Sequence, residues 1–313
     1  MDISHASVLP EEVLHYLAVD DTEHLLLDAT VGEGGHSYAF LERFPNLRVI
    51  GLDADSRILG RARERLARFG DRVELLHTWF DAHFERELSA ERDRERPTRI
   101  LFDLGVSSFH FKASGGGFSF REDEPLDMRL NHDESEDAAD LVNSLPQDEL
   151  AALIYRYGEE RYSRRIAGAI VRRRSESPLR SSSELADLVY HAVPAPYRRG
   201  RIHPATRTFQ ALRIAVNQEL ERIERALAGA IDLLVPGGVI GVIAFHSLED
   251  RIVKRMFREK SRACTCPPEM PICKCGGVPV LELITRKPVF ASETEREQNP
   301  ASRTARLRVA RKC

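Results

Sequence analysis

The sequence predicts an α/β fold: a seven-stranded, Rossmann-like sheet flanked by helices and interrupted by an inserted all-helical domain. Three observations carry that reading. From Leu25 to Gly105 short apolar runs alternate with helical stretches, the order that builds a parallel sheet covered on both faces. The first run opens into a glycine-rich turn, Asp28-Ala-Thr-Val-Gly32-Glu-Gly34-Gly35-His36. A further run of the same kind, Val239 to Phe245, arrives more than a hundred residues after the fourth.

In order, the predicted strands are Leu25–Asp28, Arg48–Asp53, Val73–Leu76, Arg99–Asp103 and Val239–Phe245, with a helix near Ser56–Phe69. Inside the insertion Leu150, Leu153, Ile154 and Tyr157 fall at i, i+3, i+4 and i+7, and Tyr162, Ile166 and Ile170 keep a four-residue spacing. Both are amphipathic helices. Ser181-Ser-Ser-Glu184 has capping-box spacing ahead of Leu185, Leu188 and Val189, which starts another. One long helical pattern through Leu212, Val216, Leu220, Ile223, Leu227, Ile231 and Leu234 returns the chain to the sheet and stops at Pro236-Gly237-Gly238. Leu248–Lys260 follows as a helix, and Val280–Thr285 and Arg306–Ala310 complete seven strands. The sheet domain is therefore expected over 1–110 and 216–313, and the helical domain, with a role in substrate recognition, over 111–215.

With 313 residues, 42% of them apolar and a net charge of −3, the chain has material for one or two packed cores. That composition argues against wholesale disorder. No apolar stretch approaches the roughly 20 residues a bilayer span needs. The start, MDISHASVLPEE, has neither the basic nor the apolar region of a secretory signal, so a cytoplasmic protein without membrane association is expected. Two segments are locally basic: Pro196–Arg213 has five Arg and no acid, and Ala301–Cys313 has four Arg and one Lys with no acid. Such patches bind phosphate or are simply solvated.

The turn after the first strand lets backbone approach a ligand closely. Asp53, at the end of the second strand, is placed to accept hydrogen bonds from ribose hydroxyls of an adenosine-bearing cofactor. This alone leaves NAD and S-adenosylmethionine both open. Three details favour the latter. Ser37 stands where the third glycine of a dinucleotide turn belongs. Asp28, expected at the mouth of the turn, suits a methionyl ammonium and repels a pyrophosphate. Trp79-Phe80 offers an aromatic surface for adenine.

Beyond the fourth strand stand Asp103-Leu-Gly-Val-Ser-Ser108, Gly117-Phe-Ser-Phe120, Pro125-Leu-Asp-Met-Arg129 and Ala139-Asp-Leu-Val-Asn143. Tyr157-Gly-Glu-Glu-Arg161, His203-Pro-Ala-Thr-Arg-Thr-Phe-Gln-Ala-Leu-Arg213, Phe245-His-Ser-Leu-Glu-Asp-Arg251 and Asn299-Pro-Ala-Ser-Arg303 follow. Together these blocks closely resemble the small-subunit ribosomal RNA methyltransferase H family, also called MraW, over nearly the whole chain. The resemblance implies a class I S-adenosylmethionine-dependent methyltransferase sheet with a helical insertion. It implies methyl transfer to N4 of a decoding-region cytidine of 16S rRNA, in the small subunit or a late assembly intermediate. It implies cofactor contacts at Gly34, Gly35, His36, Asp53, Phe80 and Asp103, and it is compatible with a homodimer. One departure stands out. Where the family usually reads Pro-Gln-Leu-Asp, this chain has Phe109-His110-Phe111-Lys112, so His110 takes the place of a cofactor-contacting Gln with fewer hydrogen-bonding options.

Asp103, at the carboxyl end of its strand, is expected to face cofactor and base, with Ser107 and His246 as candidate second contacts; His246 equally suits the start of a helix. Arg198, Arg199, Arg207 and Arg213 are expected to meet RNA phosphates. Cys264, Cys266, Cys273 and Cys275 are spaced to hold one zinc or to remain reduced thiols, and no metal is assigned. Three competing functions are a nicotinamide dehydrogenase, a DNA or small-molecule methyltransferase, and a non-catalytic ribosome-assembly factor.

Overall fold

A computed structural model of the chain describes residues 7–90, 95–112, 114–264, 266 and 277–313. It divides into two compact units, Met1–Val106 with Leu220–Cys313, and Ser107–Glu219. The breaks thus fall a few residues from the expected 110 and 216, and His110 belongs to the helical unit.

In chain order the first unit contributes α1 (Pro10–Tyr16), β1 (His24–Asp28), α2 (Gly35–Arg43), β2 (Leu47–Asp53), α3 (Ser56–Leu66), β3 (Val73–His77), α4 (Phe80–Ser89) and β4 (Arg99–Asp103). The helical unit holds α5 (Ser108–Lys112), α6 (Ala138–Ser144), α7 (Gln147–Gly158), α8 (Ser163–Arg174), α9 (Ser182–Ala192), α10 (Ala195–Arg198) and α11 (Ala205–Val216). Then follow α12 (Glu219–Leu233), β5 (Val239–Ala244), α13 (Ser247–Lys260), β6 (Leu281–Leu283), α14 (Glu293–Gln298) and β7 (Arg306–Lys312).

The strands form one seven-stranded sheet in the order β3-β2-β1-β4-β5-β7-β6. Pairings from β3 to β5 are parallel, and β7 runs antiparallel to both β5 and β6. Alternation along each strand sorts the core into two layers. Leu26, Val49 and Leu101 pack with Phe40 of α2, Leu59 of α3 and Val13 of α1. Leu27, Ile100, Phe102 and Val242 pack with Phe84 of α4, Leu227 and Ile231 of α12 and Phe257 of α13. The carboxyl ends of β1, β2 and β4 bring Asp28, Asp53 and Asp103 to one edge.

In the helical unit α7, α8 and α9 fall where the periodicities and the capping box predict them, α5, α6 and α10 are helices the sequence reading did not name, and Pro125 and Ser181 form an isolated antiparallel bridge. Leu150 and Ile154 of α7, Ile166 and Ile170 of α8, Leu185 and Val189 of α9 and Leu212 of α11 are buried. Ser181 caps α9 by accepting from Glu184 N at 3.3 Å. Glu184 does not return the bond, because its carboxylate pairs with Arg173 instead. The long helix predicted through Leu212 and Leu234 is two helices. Between them Asn217, 1% exposed, accepts from Leu130 N and donates to Met128 O and Arg213 O, each at 2.8 Å, and Gln218 turns to φ 49°. The apolar stripe continues across the break, so periodicity alone does not reveal it.

Candidate active site

The turn after β1 is stapled to its neighbours by backbone. Ala29 N donates to Leu101 O and Val31 N to Leu52 O, both at 2.8 Å. Gly34 adopts φ 79°, which glycine tolerates without a Cβ penalty, and a Cβ on Gly35 would collide with Ser7 Oγ. Helix α2 begins there with no side-chain cap, leaving first-turn amides for a ligand's anionic group.

Around this turn the three strand-end carboxylates do different work. Asp53 is fixed by Gly32 N at 3.0 Å and Asp55 N at 2.9 Å and stays half-buried. Asp103 accepts from Gly105 N at 3.4 Å, and its backbone N–H donates to Thr30 Oγ1 at 2.6 Å. Its Oδ2 lies 3.5 Å from His36 Nε2, a buried nitrogen with no hydrogen-bond partner. Asp28 is not at the mouth of the turn, as the sequence predicts. It is 1% exposed and accepts from Ser37 Oγ at 2.6 Å. Burial pushes its carboxyl up to about 6, opposed by the Ser37 hydrogen bond and the charge of His36. Asp28 therefore anchors α2 to β1.

The aromatic surface also divides. Trp79 is 9% exposed, and the Arg222 guanidinium lies 4.2 Å from its ring centroid, so that face is taken. Arg222 is held in turn by Asp81. Phe80, at the start of α4, is half-buried and meets Phe102 edge-on at 5.8 Å, and it remains for a ligand.

After β5, His246 is the N-cap of α13. Its Nδ1 accepts from Glu249 N at 3.4 Å, while Glu249 Oε2 accepts from Phe245 N and His246 N in a reciprocal capping box. His246 Nε2 sits 2.9 Å from Glu249 Oε1. Nδ1 thus serves the helix start, while Nε2 is buried with no hydrogen-bond partner, so the capping role accounts for one ring nitrogen and leaves the other for a ligand.

In the helical unit, Ser107 Oγ accepts from Phe109 N at 3.2 Å. His110 is 4% exposed, with its ring 5.0 Å from that of Phe118. Of the four basic candidates, Arg199 is exposed. Arg207 donates to Glu159 O at 3.1 Å and lines a cavity of about 290 Å³ with Arg161, Tyr162 and Tyr197. Arg161 lies over both tyrosine rings, and Tyr197 donates to the fully buried Glu160 at 2.6 Å. Arg198 is committed to Val193 O and His191 O, and Arg213 forms a bidentate pair with Glu219 at 2.8 and 2.9 Å. These two hold the fold rather than present free forks. Arg161, Tyr162 and Tyr197 carry no role in the sequence reading, because Tyr162 shares the spacing of core residues and the cavity is assembled from separate segments.

A model of the MraW methylase family matches residues 2–313. The chain belongs to the MraW methylase family. It is 54% identical over 308 residues to the ribosomal RNA small subunit methyltransferase H of Treponema denticola, covering 98% of this chain and 97% of that protein. Against the protein of that name from Heliobacterium mobile it is 47% identical over 317 residues, covering 100% of both. Among solved structures, an rRNA methylase from Streptococcus thermophilus gives a TM-score of 0.41 at 11% identity, covering 97% of this chain and 93% of that one, too slight a likeness to build on.

Membership makes the chain a methyltransferase that uses S-adenosylmethionine. The carboxyl edge of the sheet fits that cofactor: an uncapped helix start for its carboxylate, a collision-limited glycine turn, an unpartnered His36 Nε2, a fixed Asp53 for ribose and an available Phe80 for adenine. Among the described residues no helix is long and apolar enough to cross a membrane. Of the four cysteines spaced for zinc, Cys273 and Cys275 lie outside the described residues, while Cys264 is exposed.

Proposed function

We propose that this methyltransferase acts on the N4 amine of a decoding-region cytidine of 16S rRNA, within the small subunit or a late assembly intermediate, in the cytoplasm. The observation that carries this reading is near-complete coverage, at 54% identity, by a relative named ribosomal RNA small subunit methyltransferase H.

Bound S-adenosylmethionine supplies an electrophilic methyl on a sulfonium. The cytosine amine is a weak nucleophile, its lone pair delocalised into the ring, so most of the acceleration comes from holding the two in line, worth about 7 to 11 kcal/mol in favourable cases. Gly34, Gly35, His36 and Asp53 hold the cofactor against the sheet edge, and Phe80 covers its adenine. Asp103, with its backbone locked to Thr30 and its carboxylate half-buried, accepts an N4 hydrogen, favours a pyramidal nitrogen and takes the spare proton. Ser107, whose Oγ accepts from Phe109 N, keeps its hydroxyl proton to donate. Arg199 and Arg207 meet phosphates of the unstacked RNA.

The test is to incubate the purified chain with labelled S-adenosylmethionine and small subunits lacking the native modification, then map the label by mass spectrometry. Label on N4 of one decoding-region cytidine is expected. Label on another atom, or equal labelling of free cytidine or duplex DNA, overturns the assignment. Asp103→Ala is expected to abolish labelling; full activity with normal cofactor affinity removes Asp103 from the chemistry. Naked 16S rRNA run beside assembled subunits identifies the form of the substrate, and light scattering reports whether the active species is a dimer.

A further inference from the structure

A second cavity of about 250 Å³ lies wholly within the helical unit, apart from the Arg207 cavity. Four phenylalanines line it, Phe111, Phe118, Phe120 and Phe209, together with Arg121 and Gln210. Its walls are packed ring on ring. The Phe120 and Phe209 rings meet edge-on at 5.0 Å, and Phe111 and Phe118 at 6.5 Å. Met128, fully buried behind them, is held at φ 61° with its N–H donating to Gly116 O at 2.7 Å, the kind of strain that persists where surrounding structure over-determines a ligand clamp.

The mouth, by contrast, is open and polar. Phe111 is 44% exposed and presents an apolar ring at the mouth. Arg121 is exposed, and no side chain among the described residues pairs with its guanidinium. Of the acidic residues that follow, Asp123 is bonded to Ser183 and Glu124 accepts from Gly117 N at 2.8 Å. Gln210 donates to Tyr157 O at 3.1 Å and keeps its carbonyl oxygen available.

Resting on the reading that the helical unit binds RNA, we propose that this cavity takes one unstacked nucleobase of single-stranded RNA, stacked on Phe111, with its phosphate on Arg121. Flat aromatic faces beside a lone guanidinium match a base and its phosphate, and the cavity is too small for more than about one base at the usual scale of ligand pockets. Gln210 Oε1 accepts from an exocyclic amine, which cytosine, adenine and guanine carry and uracil lacks.

The full-length chain and its Phe111→Leu and Arg121→Gln variants are titrated with a single-stranded decoding-region oligoribonucleotide and with its fully paired duplex. Phe111→Leu keeps bulk and apolarity at an exposed position, and an unchanged melting temperature confirms the fold. It is expected to weaken single-strand binding about fivefold or more with little change for duplex. Arg121→Gln is expected to lower the slope of log affinity against log salt by about 0.7. A 5-iodocytidine placed through the oligonucleotide, which keeps the exocyclic amine, is expected to crosslink on irradiation to the peptide spanning Phe111 and Arg121. Wild-type affinity in both variants, with crosslinks elsewhere, overturns the proposal. Arg199→Gln and Arg207→Gln separate it from the broader reading: if they weaken binding while the cavity variants do not, RNA binding by the unit stands and the base pocket falls.

Discussion

Asp28 and Asp103 end adjacent strands, yet one is 1% exposed and the other keeps 18% of its side chain in solvent, and this difference separates an anchor from a reagent. The Asp28 carboxyl titrates near 3.8 in an unfolded chain and about 6 in the fold, so between those values the folded chain holds the extra proton. Its contribution to stability is largest at acid pH, falls as pH rises from about 4 to about 6, and is level above that. Asp28→Asn is expected to flatten that fall and to raise stability at neutral pH by up to about 3 kcal/mol. Urea unfolding at either end of the interval checks this; an unchanged pH slope contradicts it. Arg213 gives the complementary case. With its partner Glu219 only 10% exposed, Arg213→Ala leaves a poorly solvated charge and should cost about 3 kcal/mol of stability while leaving the salt dependence of RNA binding as it was. Neither side chain's true role is legible in sequence, because residue type and position say nothing about which way a strand-end carboxylate or a helix arginine points.

Elements were far more legible than side chains. The strands announce themselves because β1, β4 and β5 are buried on both faces and so read as unbroken apolar runs. Ser181 announces α9 because capping chemistry is local. The break between α11 and α12 is hidden for the opposite reason: it is enforced by contacts distant in sequence, from Asn217 to Met128 and Leu130, and the turn residue is Gln218 rather than glycine. Asn217→Ala leaves Leu130 N and Met128 O without their side-chain partner and is expected to cost about 1 to 3 kcal/mol. Hydrogen exchange should show faster opening at Leu130 than in α7; uniform protection would mean the amide does not hold the break. The edge-forming motifs of the site were legible as resemblance, whereas both cavities of the helical unit, each assembled from separated segments, were not.

At the scale of the molecule, the sheet is assembled from two stretches of chain separated by the continuous span Ser107–Glu219. Its far side is completed out of order. β7 lies between β5 and β6 although both precede it in the chain, and it carries buried Leu307, Val309 and Ala310 into the core layers. A chain stopped before Arg306 should therefore retain the helical unit's far-ultraviolet signature but lose cofactor binding and cooperative unfolding of the sheet; retained cofactor affinity would show that β1 to β5 suffice. The same placement imposes a timetable during synthesis. As the chain emerges, β5 and β6 wait with an unpaired edge until β7 arrives to lie between them, so a ribosome making this protein holds an open sheet until that strand has been made.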